Sequence, residues 1–341
     1  MDKNYQVWFT DKRKVELLEA EMPRIIEGSD DQCILIQTEV SLISTGTELT
    51  QLESNVSEDS NWNKSLHYPT AAGYCNVGRI IEVSKACDPA LIGKRILTGA
   101  PHKKYHITGP KWTYHLLPDD VGSEEAVFSS LGVIALASIR SANIRVGDTV
   151  VVYGAGLIGR MVAMMARVAG AIKVFIADVS DYRLSLLPKD PCYIPVNTQK
   201  EDIITVIQDY NNGRLADFVF ETTSLPQLID SELKCLEKKG KLIVTSNPKG
   251  KSLIDFDYVN KRSLTIIGAI NIGSHTPVAT PADPWTTARD TQYVLELLQK
   301  KQINVKDMIT RSESYKNCVE VYQSLMEDRT RDLGILFTWE D

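Results

Sequence analysis

The run Asp148-Thr-Val-Val-Val-Tyr-Gly-Ala-Gly-Leu-Ile-Gly159 leaves this chain few choices of fold. Its first six residues are rich in β-branched and aromatic side chains, which favour a buried strand, and an apolar helical period follows the last glycine. The order is therefore strand, tight turn, helix. Gly154 allows the turn, Gly156 lets a diphosphate approach the backbone, and Gly159 lets the helix lie close on the strand, with Leu157 and Ile158 opening the helix between them. Amides exposed at a helix start, together with the helix dipole, attract an anion. A second apolar run, Lys173-Val-Phe-Ile-Ala-Asp178, ends on a carboxylate where a ribose diol needs an acceptor. These features predict a dinucleotide site, and Asp178 favours NAD over NADP because it repels a 2′-phosphate. Arg183 works against that preference if it turns toward the ribose.

With 341 residues there is room for two domains of ordinary size. A net charge of -6 argues against a general nucleic-acid or anionic-membrane binder, which selects a basic face. The start, Met1-Asp2-Lys3-Asn4-Tyr5, lacks the apolar core of a signal peptide, and uncharged apolar runs stay short of membrane-spanning length, so the expected location is the cytoplasm. Six cysteines without a CxxC pair point to reduced thiols rather than a disulfide framework or a cysteine-rich zinc site.

Residues 5–48 read as β-structure, with strands at Tyr5–Phe9 and Gln32–Ile43, followed by a polar loop from Gln51 to His67 and further strands over 72–83 and 94–97. Short strands without regular helices between them predict a small β-barrel-like domain. From Ser123 the period becomes helical, and after the glycine turn strands and helices alternate, which predicts a parallel sheet with both faces covered. Pro188 and Pro191 should end the helix after Asp178 early. The closing segment reads as two helices and a last strand, Leu333–Thr338.

Beyond these local patterns the chain resembles the medium-chain dehydrogenase/reductase superfamily. The resemblance is carried by Thr45-Gly-Thr-Glu-Leu49, Gly73-Tyr-Cys-Asn-Val-Gly78, Leu117-Pro-Asp-Asp-Val121 followed by Ser123-Glu-Glu-Ala126, and the glycine turn itself. The first two segments are similar to a zinc-free branch that holds bacteriochlorophyllide dehydrogenase-like proteins and oxidoreductases of sugar and polysaccharide metabolism. The resemblance implies an α/β fold: a GroES-like β-rich catalytic domain over 1–133, a Rossmann doubly wound parallel sheet over 134–270, and a return to the catalytic domain over 271–341. It also implies that Thr223 and Asn247 lie along the cofactor cleft, with Ile270 and Asn271 near the nicotinamide. The apolar run 263–270 forms a sheet edge, and such an edge predicts a homodimer.

The departures from the family pattern bear on the chemistry. Where zinc alcohol dehydrogenases of the superfamily place metal ligands, this chain has Thr45, Tyr74, Cys75 and Val133. One thiol cannot make a catalytic zinc site, which needs three protein ligands, so no metal is expected. Proton handling then falls to side chains: Thr47, matching the relay hydroxyl of relatives, its neighbour Glu48, Tyr74 and His102. Tyr74 either donates to a substrate carbonyl or only fills the vacated cavity, and a role as base requires a phenol pKa well below its usual ~10. His102, with an ordinary pKa near ~6.5, is the best acid/base by type alone. The expected activity is zinc-independent, NAD(H)-dependent hydride transfer to or from a secondary alcohol or ketone of a polyhydroxylated or ring-bearing metabolite. An NADPH-dependent quinone or enoyl reductase and a non-catalytic NAD-binding protein are the alternatives.

Overall fold

The computed structural model describes residues 3–26, 32–58, 60–109, 114–269, 280 and 284–340. The chain divides into two compact units, one of Met1–Asn55, Leu66–Ser130 and Ala288–Asp341, the other of Val56–Ser65 and Leu131–Thr287. The junctions fall at 130/131 and 287/288 where the sequence reading set 133/134 and 270/271, and Val56–Ser65 groups with the second unit.

The first unit is built mainly on antiparallel strands, the pair Ile309–Ser314 and Gly334–Thr338 alone running parallel among the described residues. Asn4–Asp11 pairs with Lys14–Ala20 on one side and Thr70–Ala71 on the other. A larger sheet runs Ile309–Ser314, Gly334–Thr338, Ile34–Leu42, Asn76–Val83, Arg95–Thr98, Tyr114–Leu116, with Tyr105–Thr108 also pairing Ile34–Leu42. Its core gathers Val7, Phe9, Leu49, Leu52, Tyr322, Phe337 and Trp339, so residues from both ends of the chain share one apolar cluster. Trp339 stacks on Tyr315 with centroids 4.6 Å apart.

The Thr45-Gly-Thr-Glu-Leu segment does not continue the β-structure as the sequence led us to expect. It opens the helix Thr45–Glu53. Glu48 bends back so that its Oε1 accepts the Ser44 amide at 2.7 Å, satisfying a donor that a helix start leaves over, while Leu49 and Leu52 enter the core.

In the second unit six parallel strands stand in the order Tyr193–Asn197, Lys173–Asp178, Thr149–Tyr153, Ala216–Glu221, Leu236–Val244, Thr265–Gly268. This is a doubly wound, Rossmann-like sheet. Thr149–Tyr153 is buried along its whole length because it lies centrally with neighbours on each side. The helix Leu157–Ala169 follows the glycine turn at the expected place, and Asp181–Ser185 is short, as the prolines require. The helix Phe256–Arg262 was not foreseen. The stretch Ser123–Ala142 has a mean hydropathy of 1.3 and the length to span a membrane, yet 72% of it is buried inside the protein, as a core helix would be.

Candidate active site

In the first unit the predicted polar residues meet in two connected groups. Glu48 is wholly buried and accepts on Oε2 from the Tyr322 hydroxyl and faces His102 Nε2 at 3.1 Å. His102 Nδ1 lies 2.8 Å from Ser41 Oγ, which accepts the Trp339 indole N–H at 2.9 Å. Trp339 can only donate, so the Ser41 proton is free to point at Nδ1, and the His102 proton then sits on Nε2 toward Glu48. Every polar atom of this chain is thereby paired. Gly73 makes room for it: its φ is +85°, and a Cβ there would stand 2.5 Å from the His102 ring.

The second group is the hydroxyl cluster. Tyr74 OH lies 2.6 Å from Ser44 Oγ and also bonds the Thr47 side chain. The Tyr74 ring is half-buried, and burial of its hydroxyl drives the phenol pKa well above the ordinary tyrosine range. Tyr74 therefore holds its proton and acts as a donor. Thr45 and Thr47 stay partly exposed on the first turn of the helix. Ser44, the cap of that helix, bonds Glu48 through its amide and Tyr74 through its hydroxyl, so one residue joins the buried network to the hydroxyl cluster.

His102 is corrected by this geometry. It is fully buried with both ring nitrogens engaged, so it has no free edge to offer a reacting group. Cys75 is buried too, and burial, then the Glu48 charge, pushes its thiol far above the usual value. Its side-chain partner is Ser130, whereas Val133 is an ordinary packed residue.

The second unit presents the glycine turn. Gly154 has φ +102°, and a Cβ on Gly159 would fall 1.8 Å from the Gly154 carbonyl oxygen, so the helix can start this close to the strand only without one. A Cβ at Gly156 meets nothing within 4 Å, which leaves open space beside the amides of the first helical turn of Leu157 and Ile158. Asp178 closes the neighbouring strand and its Oδ2 accepts the Ala155 amide at 2.7 Å, while Oδ1 accepts Ser180 N at 2.8 Å. The turn and the acid are thus held as one piece, with carboxylate lone pairs left for a diol. This cradle fits a dinucleotide.

The remaining cofactor residues fall at several places. Arg183 lies in the short helix, where its carbonyl accepts from Arg160 Nη1 at 3.3 Å. Thr223 and Asn247 follow the strands Ala216–Glu221 and Leu236–Val244, and the Thr223 hydroxyl donates to Glu221 at 2.7 Å. Ile270 and Asn271 lie outside the described residues. The sequence gave no pointer to Arg160, which is buried and pins the Arg183 and Leu186 carbonyls. Nor did it single out Thr222, whose hydroxyl donates to the Tyr153 carbonyl at 2.6 Å.

A family model described as zinc-binding dehydrogenase matches residues 158–282. The chain is 22% identical over 229 residues to an uncharacterised zinc-type alcohol dehydrogenase-like protein, YdjJ, of Escherichia coli K12, covering 67% of this chain and 61% of that protein. It is 23% identical over 292 residues to D-arabitol-phosphate dehydrogenase of Enterococcus avium, covering 76% and 79%. A solved alcohol dehydrogenase (rspB) of Escherichia coli CFT073, complexed with NADH, superposes with a TM-score of 0.81 at 16% identity over 98% of this chain and 99% of that one. Together with the fold, these likenesses support a relation to the medium-chain dehydrogenase/reductase superfamily.

Among the described residues no three His, Cys, Asp or Glu side chains stand close enough to share a metal ion. The described residues therefore do not assemble a donor set for a catalytic zinc.

Proposed function

We propose that this protein is a zinc-independent oxidoreductase that moves hydride between NAD(H) and a secondary alcohol or ketone of a polyhydroxylated metabolite. The single observation that carries the reading is the Tyr74 hydroxyl, held by Ser44 Oγ at 2.6 Å and by Thr47, with its proton retained. The nicotinamide supplies or takes the hydride. As a carbonyl is reduced its oxygen gains negative charge, and a preorganised hydroxyl in a water-poor site stabilises that charge and delivers the proton. Ser44 and Thr47 fix the phenol's direction, so little reorganisation is needed at the moment of reaction. The buried Glu48–His102 network supports the loop that carries Tyr74 without touching substrate.

For the cofactor, Asp178 supports NAD: its carboxylate is fixed beside the glycine turn, where a 2′-phosphate would meet a negative charge. The relative from Enterococcus avium acts, by its name, on a polyol phosphate, which supports a polyhydroxylated substrate here. A cytoplasmic homodimer accords with the reading. The strand Thr265–Gly268 is outermost in its sheet, with Thr265 and Ile266 exposed.

The test is a screen of NADH oxidation and NAD reduction over polyols, sugars, their phosphates and cyclic ketones, with and without chelator, and with NADPH in parallel. Turnover with NAD(H) that survives chelation is expected. Stoichiometric zinc in the purified protein with loss of turnover on chelation would refute the proposal, and a clear preference for NADPH would favour a quinone or enoyl reductase.

A further inference from the structure

The second unit buries a carboxylate that the chemistry above does not use. Glu221, the last residue of the strand Ala216–Glu221, is fully buried. Its Oε1 accepts from Thr223 N at 2.6 Å, Thr223 Oγ1 at 2.7 Å and Ser224 N at 2.8 Å, and its Oε2 accepts from the Ser246 hydroxyl. Its backbone carbonyl takes the amides of Thr245 and Ser246 at 3.0 and 3.1 Å. One residue thus ties together the loops that leave two adjacent strands. Ser224 is held at φ +65°, a left-handed conformation that a serine adopts only when its surroundings demand it.

The place of this knot in the sheet gives it meaning. Strand order reverses between Thr149–Tyr153 and Ala216–Glu221, and in open parallel sheets ligands bind beyond the carboxyl ends of the strands at that reversal. Thr222 bridges the two strand ends through its bond to the Tyr153 carbonyl. Asp178 belongs to the half of the sheet that takes the adenosine; Glu221 and Ser246 belong to the other, nicotinamide half. A carboxylate is costly to bury, and four donors are the compensation that makes it tolerable. A nearby acid, Glu232, is pushed up to about 9 by burial and then by the Glu221 charge.

We infer that Glu221 is a positioning residue for the nicotinamide half of the cofactor: it fixes the loops after the fourth and fifth strands in the shape that half requires, without touching the cofactor itself. The inference rests on the NAD(H) reading above. Titrating the full-length protein with NADH and, separately, with ADP tests it, because ADP reaches only the adenosine half. In Glu221→Gln, an amide NH₂ replaces one acceptor, and loss of charge-assisted bonds should weaken NADH binding about ten-fold or more while ADP affinity stays within about two-fold of wild type. Equal losses for both ligands, or no loss, overturn the inference. If that variant does not fold, Ser246→Ala removes a single donor and should weaken NADH by about three-fold with ADP unchanged; absence of an NADH-specific effect there also overturns it. A wild-type protein that binds neither ligand sinks the cofactor reading and this inference with it, whereas wild-type binding with a neutral Glu221→Gln sinks the inference alone.

Discussion

Glu232 offers a direct measurement of how the second unit handles buried charge. The side chain lies on the helix Ile229–Lys234, fully buried, and neither carboxyl oxygen has a hydrogen-bond partner among the described residues. Burial first, and the Glu221 charge second, raise its pKa from an ordinary 4.5 to about 9. Between those values the folded protein keeps a proton that the unfolded chain has released. Stability therefore falls as pH rises, by about 1.4 kcal/mol per pH unit for this one proton. His106, whose pKa burial pushes down to about 3, acts in the opposite sense but only below its unfolded value near 6.5, so above about pH 7 the Glu232 slope is joined only by a smaller one of the same sign from buried thiols such as Cys75, which variant and wild type share. From about pH 7 to about pH 8.5 the wild type should lose ~2 kcal/mol on this account. Glu232→Gln, isosteric with the neutral acid, should remove that slope. Urea unfolding at both pH values, with intrinsic fluorescence as the probe, reads the difference between the two proteins. Parallel pH slopes in variant and wild type would refute the assignment of a buried neutral acid.

Three further outcomes are expected. Tyr74→Phe should lower kcat for carbonyl reduction about 100-fold, the worth of one preorganised donor, with NADH affinity unchanged in a fluorescence titration. Because burial raises the Tyr74 phenol, its protonated fraction is full below the ordinary tyrosine range and is not lost until well above it. The reduction rate should accordingly stay flat past about pH 10, and a fall in rate at lower pH values would refute the phenol as proton donor. Asp178→Ser should raise NADPH affinity relative to NADH by about ten-fold, since it removes a negative charge fixed beside the glycine turn; competition binding of the two cofactors checks this.

The parts legible in the sequence were those governed by neighbours along the chain. The fully buried strand Thr149–Tyr153, the helix Leu157–Ala169 and the acid at 178 lie where periodicity and glycine spacing placed them, because strand, turn and helix are set by local backbone sterics and side-chain alternation. The early end of the helix after Asp178 followed from two prolines. Where local and long-range preferences compete the reading failed. Residues up to 48 read as β-structure and those from Gln51 as a polar loop, yet Glu48 and a shared core make Thr45–Glu53 a helix.

The roles of the polar residues belong to the tertiary structure. His102 has the right intrinsic pKa for proton transfer, but contacts made across 54 and 61 positions to Glu48 and Ser41 enclose it. Tyr322 reaches Glu48 across 274 positions and Trp339 reaches Ser41 across 298. Glu221 looks in sequence like any strand-end acid, and its burial under four donors is set by loops that converge only in the folded sheet. By itself the sequence determined a Rossmann-like cradle, since short-range spacing suffices for it, whereas the replacement of metal ligands at Thr45, Tyr74 and Cys75 followed only from the family resemblance. Which hydroxyl keeps its proton, and which acids are buried and with what partners, only the tertiary structure decided. The physical reason is that desolvation and hydrogen-bond partnership depend on distances in space that no spacing along the chain encodes.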